Sequence, residues 1–359
     1  MRNLILQKII QEKQRPKDHP PEQHLEEAAD MVYKSTLGGE STAWCGESMD
    51  IRSNALAGRA DVVEHGYAPD EVTEIDERTD AEHNPFGEPH DARHDALDDK
   101  RVDRLTGSSN AKVGLWVDST TAYYQPELFE AIVDILEAAD LDVGMLGDDE
   151  WSSGLPQYKL GLWDTAKSLA EHNSEAINEH SFETLLVDSP EAYRAFNDFY
   201  PHWGAEVEPE VVHSSEFIAG LLADGDLELT GESSQLVTYH DPYELSRHST
   251  PIDRKEYDTT DIHDAPREVL EAIPGLELQE MRHNREKSLS CGSGVGMQEM
   301  YPDVAHSVAE TVLSEAAHTD ASTMVVASPQ CKCHFEDVVA DDGDAVDVVS
   351  LPELVVEAL

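Results

Sequence analysis

Thiols and cations are scarce in this sequence. Four cysteines occur in 359 residues, Cys45, Cys291, Cys331 and Cys333. Nothing marks the chain for secretion, so a disulfide framework is excluded as the first explanation, and spacing must decide whether these thiols are ligands. Lysine and arginine total 25 against 75 aspartates and glutamates, a formal net charge of −50. Such a surface repels phosphate backbones, which excludes DNA and RNA as partners. The acids run through every segment, as expected of a cytoplasm at very high salt, where repulsion is screened within a few Å. Long apolar runs are also missing. None approaches the roughly 18–20 residues of a membrane span. The opening MRNLILQKII is followed by Gln11, Glu12 and Lys13 without a small-residue cleavage site. It reads as a packed first helix or one that docks on a partner, not as a signal peptide. The seventeen histidines show no HExxH spacing, and no nucleophile triad is evident.

What remains is organised. Residues 1–69 read as helical, and residues 70–110, polar and carrying Pro85 and Pro89, as an extended linker. From residue 111 a strand, helix, strand series begins: LWV, then FEAIVDILEAA with a 3.6-residue period, then LDVGML. The series recurs from residue 230 as LVTYHDP, PREVLEAI and LELQEM. LEAAD at Leu136–Asp140 parallels LEAIP at Leu270–Pro274, WSSG parallels LSCG, and LLVDSPEA at Leu185–Ala192 parallels MVVASPQC at Met324–Cys331. This predicts an α/β fold of two duplicated Rossmann-like units, residues 111–229 and 230–359, each built on a mostly parallel sheet.

Both units resemble the cysteine-rich CCG domain of the B and D subunits of heterodisulfide reductase and of the glycolate oxidase iron–sulfur subunit. That domain has a cysteine after its first strand, a Cys-Cys-Gly turn and a Cys-Pro-x-Cys turn. In the first unit these positions carry Ser119, Ser152, Ser153, Ser189 and Ala192, so no thiolate cluster is held there. In the second they carry Tyr243, Ser290, Cys291, Ser328 and Cys331, with Thr250–Asp261 read as an insertion. YKSTLGGESTAWCG resembles the ferredoxin pattern C-x2-C-G-x-C-x3-C, with Ser35, Gly38, Ser41 and Cys45 at the ligand positions, a small degenerate helical remnant. Serine is close to cysteine in size but a far poorer iron ligand, so the fold is expected to persist while cluster binding is impaired.

The resemblance implies an iron–sulfur electron-transfer oxidoreductase subunit. It works in the cytoplasm beside other subunits of a redox complex, or at the inner face of the membrane through a partner. For this chain the cofactor is at most one cluster or one zinc. The retained cluster positions are Cys291, Cys331 and Cys45. Cys291, Cys331, Cys333 and His334 form a candidate metal site, against the alternative that the first two are small buried residues and Cys333 is incidental. Cys45 alone reads as a helix-terminus thiol. His240 and Asp241 read as shaping the turn after a strand, and the GSGVG run at Gly292–Gly296 as a close turn without nucleotide binding. The other function class is a cluster-free structural or regulatory paralogue that docks on a redox complex.

Overall fold

The computed structural model describes residues 22–40, 51–108, 110–247, 262–342 and 346–359. Two four-stranded parallel sheets carry the fold. The first contains β1 (Val113–Trp116), β2 (Val143–Gly144), β3 (Thr184–Val187) and β4 (Glu210–His213), in the order β2-β1-β3-β4. The second contains β5 (Leu236–His240), β6 (Glu277–Leu278), β7 (Thr323–Val326) and β8 (Asp347–Ser350), in the order β6-β5-β7-β8. The α/β expectation and the duplication hold down to register. Val113 pairs with Thr184 in one sheet, and Val237 with Thr323 in the other. The central strands read VGLW, TLLV and TMVV because parallel strands covered by helices on both faces need nearly continuous apolar sequence.

The helices follow the same logic. Pro126–Ala138 starts with proline at its first position and buries Leu128, Phe129, Ile132, Val133 and Leu136 on one side. Ile135 of that helix packs with Ile218 of the first unit and with Val237, Leu270 and Leu354 of the second, so one core spans both units.

Residues 70–110 differ from the extended linker expected of them. Asp70–Glu82 and Asp99–Gly107 are helices, and Val72 and Ile75 are buried against Tyr33, Leu160 and Leu162. The prolines mislead because they lie outside the helices. Pro69 caps the first, and Pro85 and Pro89 belong to a turn in which the Asn84 side chain accepts from the amides of Phe86, Gly87 and Glu88.

The N-terminal segment is clamped between the units. Arg59 is fully buried and donates to the carbonyls of Val32, Ser35 and Lys159. Gly294 lies so close to Thr36 that a Cβ there would sit 2.5 Å from the Thr36 carbonyl oxygen. The GSGVG run is thus a close packing turn, as expected. Ser41 and Cys45 of the ferredoxin-like pattern, and the insertion Thr250–Asp261, lie outside the described residues.

Candidate metal centre

In an open parallel sheet, ligands gather beyond the carboxyl ends of the strands where the strand order reverses. Here the reversal falls between β1 and β3, and between β5 and β7. Residues 118–119 and 188–189 leave the first pair of strands, and residues 241–243 and 327–331 the second. Ser119 and Tyr243 lie at equal distances beyond the matched Val113 and Val237, as do Ser189 and Ser328 beyond Thr184 and Thr323. All the matched turns therefore converge on two equivalent places.

The two serines of the x-Pro-x-x turns have taken a structural task. Ser189 Oγ accepts from the Ala192 amide at 3.0 Å and donates to Asp118 at 3.2 Å. Ser328 Oγ accepts from the Cys331 amide at 3.3 Å. Each satisfies an otherwise orphan amide at a helix start, as serine at an N-cap does. The third turn is held by glycine. Gly154 has φ 79° and Gly292 φ 97°, and a Cβ on Gly292 would sit 2.4 Å from the Ala305 carbonyl oxygen.

In the second unit the turns bring three soft donors together. Cys291 and Cys331 are buried, with sulfurs 2.9 Å apart, the Cys331 thiol donating to Cys291. One ring nitrogen of His240, at the end of β5, completes a group whose ligand atoms all lie within 4.8 Å of one another. His240 Nε2 is buried without a hydrogen-bond partner. The hydrogen bond from Cys331 holds the Cys291 thiol well below the usual range, aided by the His240 ring and Ser293. That same bond, with burial, pushes Cys331 well above it. Of the two, Cys291 is therefore the sulfur more readily ionised.

The structure brings Cys291 and Cys331 together, as the sequence suggests, but supplies a different third partner. Both ring nitrogens of His334 are engaged, Nε2 with the Ala305 carbonyl at 3.2 Å and Nδ1 with Gln298 at 2.8 Å. Cys333 sits partly buried on the wall of the adjoining cavity, outside the three-donor group. Cys333, two positions beyond Cys331 on the helix starting at Pro329, turns to another face, whereas His334, three positions on, shares that side but has its ring held by Ala305 and Gln298. His240, read from the sequence as shaping a turn, also sets a ring nitrogen beside the two sulfurs. The signal available in the sequence is an imidazole on a strand end whose counterpart in the first unit is the apolar Trp116.

The first unit has no thiol at its turns and is ionic instead. Arg93 is fully buried and pairs with Glu150 and the Val117 carbonyl. Asp118 accepts from Thr120, Ser189 and, from the second unit, Gln330 Nε2 at 2.7 Å. Burial and the neighbouring Asp118 push Asp188 up to about 8.

A cavity of about 380 Å³ separates the two sets of turns, with Ser119 and Ser152 on one wall and Tyr243, Cys291, Ser328 and Cys331 on the other. Beside it, Glu244 binds Arg52 at 2.9 Å and Lys159 at 2.6 Å, all three side chains buried. Lys159 Nζ also reaches the Tyr243 hydroxyl at 3.3 Å. Burial alone would raise Glu244, but Arg52 and Lys159 hold it at about 2.

Comparison with known proteins gives this architecture a family. The model of the CCG cysteine-rich domain matches residues 237–336. The D subunit of dihydromethanophenazine:CoB–CoM heterodisulfide reductase from Methanosarcina mazei is 30% identical over 347 residues, covering 94% of this chain and 80% of that protein. The chain belongs to the family of heterodisulfide reductase D subunits. The relatives of this family member are iron–sulfur oxidoreductase subunits. A probable membrane-anchored ferredoxin of Chromohalobacter salexigens is 30% identical over 303 residues, covering 83% of this chain and 43% of its own. A hypothetical protein from Helicobacter pylori of known crystal structure shares the fold, with TM-score 0.58 at 10% identity over 99% of this chain and 66% of that one. No helix among the described residues is long and apolar enough to cross a membrane.

The family's cluster chemistry does not fit the residues that this member presents. A four-iron cluster takes four thiolates. The first unit's positions offer none, and the second offers two, with the buried Tyr243 ring at another. A single soft ion does fit. Zinc accepts two thiolates and an imidazole with an open fourth position, and its two sulfurs then stand roughly 3.8 Å apart. That is under an ångström more than the 2.9 Å observed.

Proposed function

We propose that this chain is a subunit of an iron–sulfur redox complex whose first unit is a cluster-free scaffold and whose second unit holds one soft metal ion on His240, Cys291 and Cys331. The observation that carries the reading is the convergence of these three buried donors, with His240 Nε2 left without another partner. Cys291 and Cys331 supply soft sulfur, and His240 fixes the third direction from the end of β5. A bound zinc ion would supply charge and a cross-link between the strand end and both turns. The partners are other subunits of the complex. The net charge of −50 supports a cytoplasm of molar salt, and any contact with a membrane would be made through a partner. The experiment is cobalt substitution. Thiolate-to-cobalt absorption should appear in the wild type, weaken in His240→Ala, vanish in Cys331→Ser, and persist in His334→Ala. Loss of the band in His334→Ala with retention in His240→Ala would overturn the assignment.

A second reading has its own observation. Two sulfurs at hydrogen-bond distance are as well placed for a dithiol as for an ion. In that form the pair, not a metal, is the redox group.

A further inference from the structure

The helix Pro329–Asp342 carries Cys331 on its first turn, and that turn is held from the first unit. Gln330 Nε2 donates to Asp118 at 2.7 Å. The Ser328 hydroxyl, which accepts from the Cys331 amide, donates to Gln330 Oε1 at 3.3 Å. Further along the same helix, Lys332 Nζ donates to Gln125 Oε1 at 2.7 Å, and Gln125 Nε2 donates to Glu336 at 2.9 Å. Asp118 and Gln125 are the N-cap and C-cap of one short helix, Ser119–Tyr124, which begins at a position that carries serine where the domain has a cysteine. Asp118 is itself fixed by the Thr120 amide at 2.8 Å and the Ser189 hydroxyl at 3.2 Å. Asp118, Gln125 and Lys332 are all buried. The duplication does not repeat this arrangement. By the register of the matched strands, the counterparts of Asp118 and Gln330 are Pro242 and Glu191. Proline offers no side-chain acceptor, and Glu191 turns to Lys159 at 3.6 Å within its own unit. The tether therefore runs one way, from the unit without thiols at its turns to the turn that bears Cys331.

We propose that Asp118 and Gln125 are positioning residues for the metal centre, holding Cys331 from the first unit so that the second unit binds its ion tightly. The inference rests on the single-ion reading of the centre. Donors that converge only when the ion arrives must be ordered on binding, and that ordering weakens a site. Two of the three donors are fixed within the second unit. His240 ends β5, and Cys291 precedes the Gly292 turn packed on the Ala305 carbonyl. Cys331 instead sits at a helix start, where the amides lack partners inside the helix. Its restraint is the chain Ser328–Gln330–Asp118, reinforced by Gln125 on Lys332 and Glu336. Groups that orient a metal ligand from behind are worth roughly 10–100-fold in affinity. Neither Asp118 nor Gln125 belongs to the three-donor group, so each acts only through the helix it holds. The unit without a cluster thereby sets how tightly the other holds its ion.

The test is competition for zinc between the full chain and a chromophoric chelator in molar KCl. Gln330→Ala cuts the link to Asp118, and Gln125→Ala the link to Lys332 and Glu336. The double variant should bind zinc at least about tenfold more weakly than wild type, with each single variant in between. Asp118→Asn keeps an oxygen that accepts from Gln330 and should stay close to wild type. Asp98→Ala is the control. It removes a cap on the Lys100 and Arg101 amides in a helix that makes none of these bonds, and should leave zinc affinity unchanged. At saturating cobalt the thiolate band should persist in every variant, since both sulfurs remain. Wild-type zinc affinity in the double variant overturns the tether and leaves the metal assignment standing. An equal loss in Asp98→Ala also overturns it, because general destabilisation then accounts for the effect. Failure of wild type to bind zinc or cobalt removes the metal assignment itself, and the tether's role with it.

Discussion

Glu244 is the residue at which the joining of the units is most exposed to a simple perturbation. Its carboxylate receives Arg52 Nη2 at 2.9 and 3.2 Å and Lys159 Nζ at 2.6 Å, and its backbone carbonyl accepts from Arg194 Nε. These partners come from the helix Ile51–Glu64 and from the first unit, while Glu244 belongs to the second. One carboxylate therefore ties three parts of the chain. Glu244→Gln keeps the shape and removes the charge, leaving Arg52 and Lys159 buried side by side. Removing one member of a buried ionic group costs about 3–5 kcal/mol. The titration gives the same scale. A carboxyl held at about 2 against an ordinary 4.5 corresponds to roughly 3 kcal/mol at about 1.36 kcal/mol per pKa unit. Because the folded value is depressed, this stability is present above pH 4.5 and is lost as pH falls toward 2. Thermal melts in molar KCl should show Glu244→Gln lowered by roughly 4–7 °C. Added salt should not rescue it, since buried charges are poorly screened. Replacing Arg52, Lys159 and Glu244 together with methionine should recover most of the loss. A single variant that melts within a degree of wild type, or one restored by salt, would refute the buried clasp.

Other expectations concern the remade turns. Ser189→Ala and Ser328→Ala should each cost about 1 kcal/mol as lost helix caps, with Ser189 the larger because Asp118 also loses a donor; denaturant titration reads both, and equal losses would remove the Asp118 contribution. Burial, only partly offset by Lys159, raises Glu191 to about 7 from an ordinary 4.5. The raised carboxyl makes folding less favourable as pH climbs from 4.5 to 7. Glu191→Gln should thus raise the melting temperature above pH 7 and have little effect below 4.5, and the opposite sign would contradict the assignment. Gly292→Ala places a Cβ 2.4 Å from the Ala305 oxygen and should cost several kcal/mol, with loss of metal retention in the folded fraction.

Much of the fold is legible in the sequence because duplication doubles every signal. LLVDSPEA and MVVASPQC align by eye, and they are β3 and β7 with their following turns. The edge strands β4 and β8 are easier to miss although the same repeat marks them: EVVHSSEF against DVVSLPEL, each strand leading directly into a capped helix. Residues 70–110 mislead because prolines at caps and turns look like prolines in a linker. Cys291 and Cys331 can be named from their motifs. Their partner cannot, since the choice among Cys333, His334 and His240 depends on helix phase and on which strand ends meet, which spacing alone does not encode. The ionic filling of the first unit is equally hidden. Arg93, Glu150, Asp118 and Asp188 come from separate segments, and only the folded chain brings them near the vacated positions.

That this chain holds a single soft ion in place of clusters is tested most directly by counting zinc, iron and acid-labile sulfide per chain after anaerobic purification and cluster reconstitution at high salt. The prediction is at most one metal ion per chain, no sulfide, and loss of the ion in Cys291→Ser. Near four irons with matching sulfide, or metal unchanged in Cys291→Ser, would contradict it.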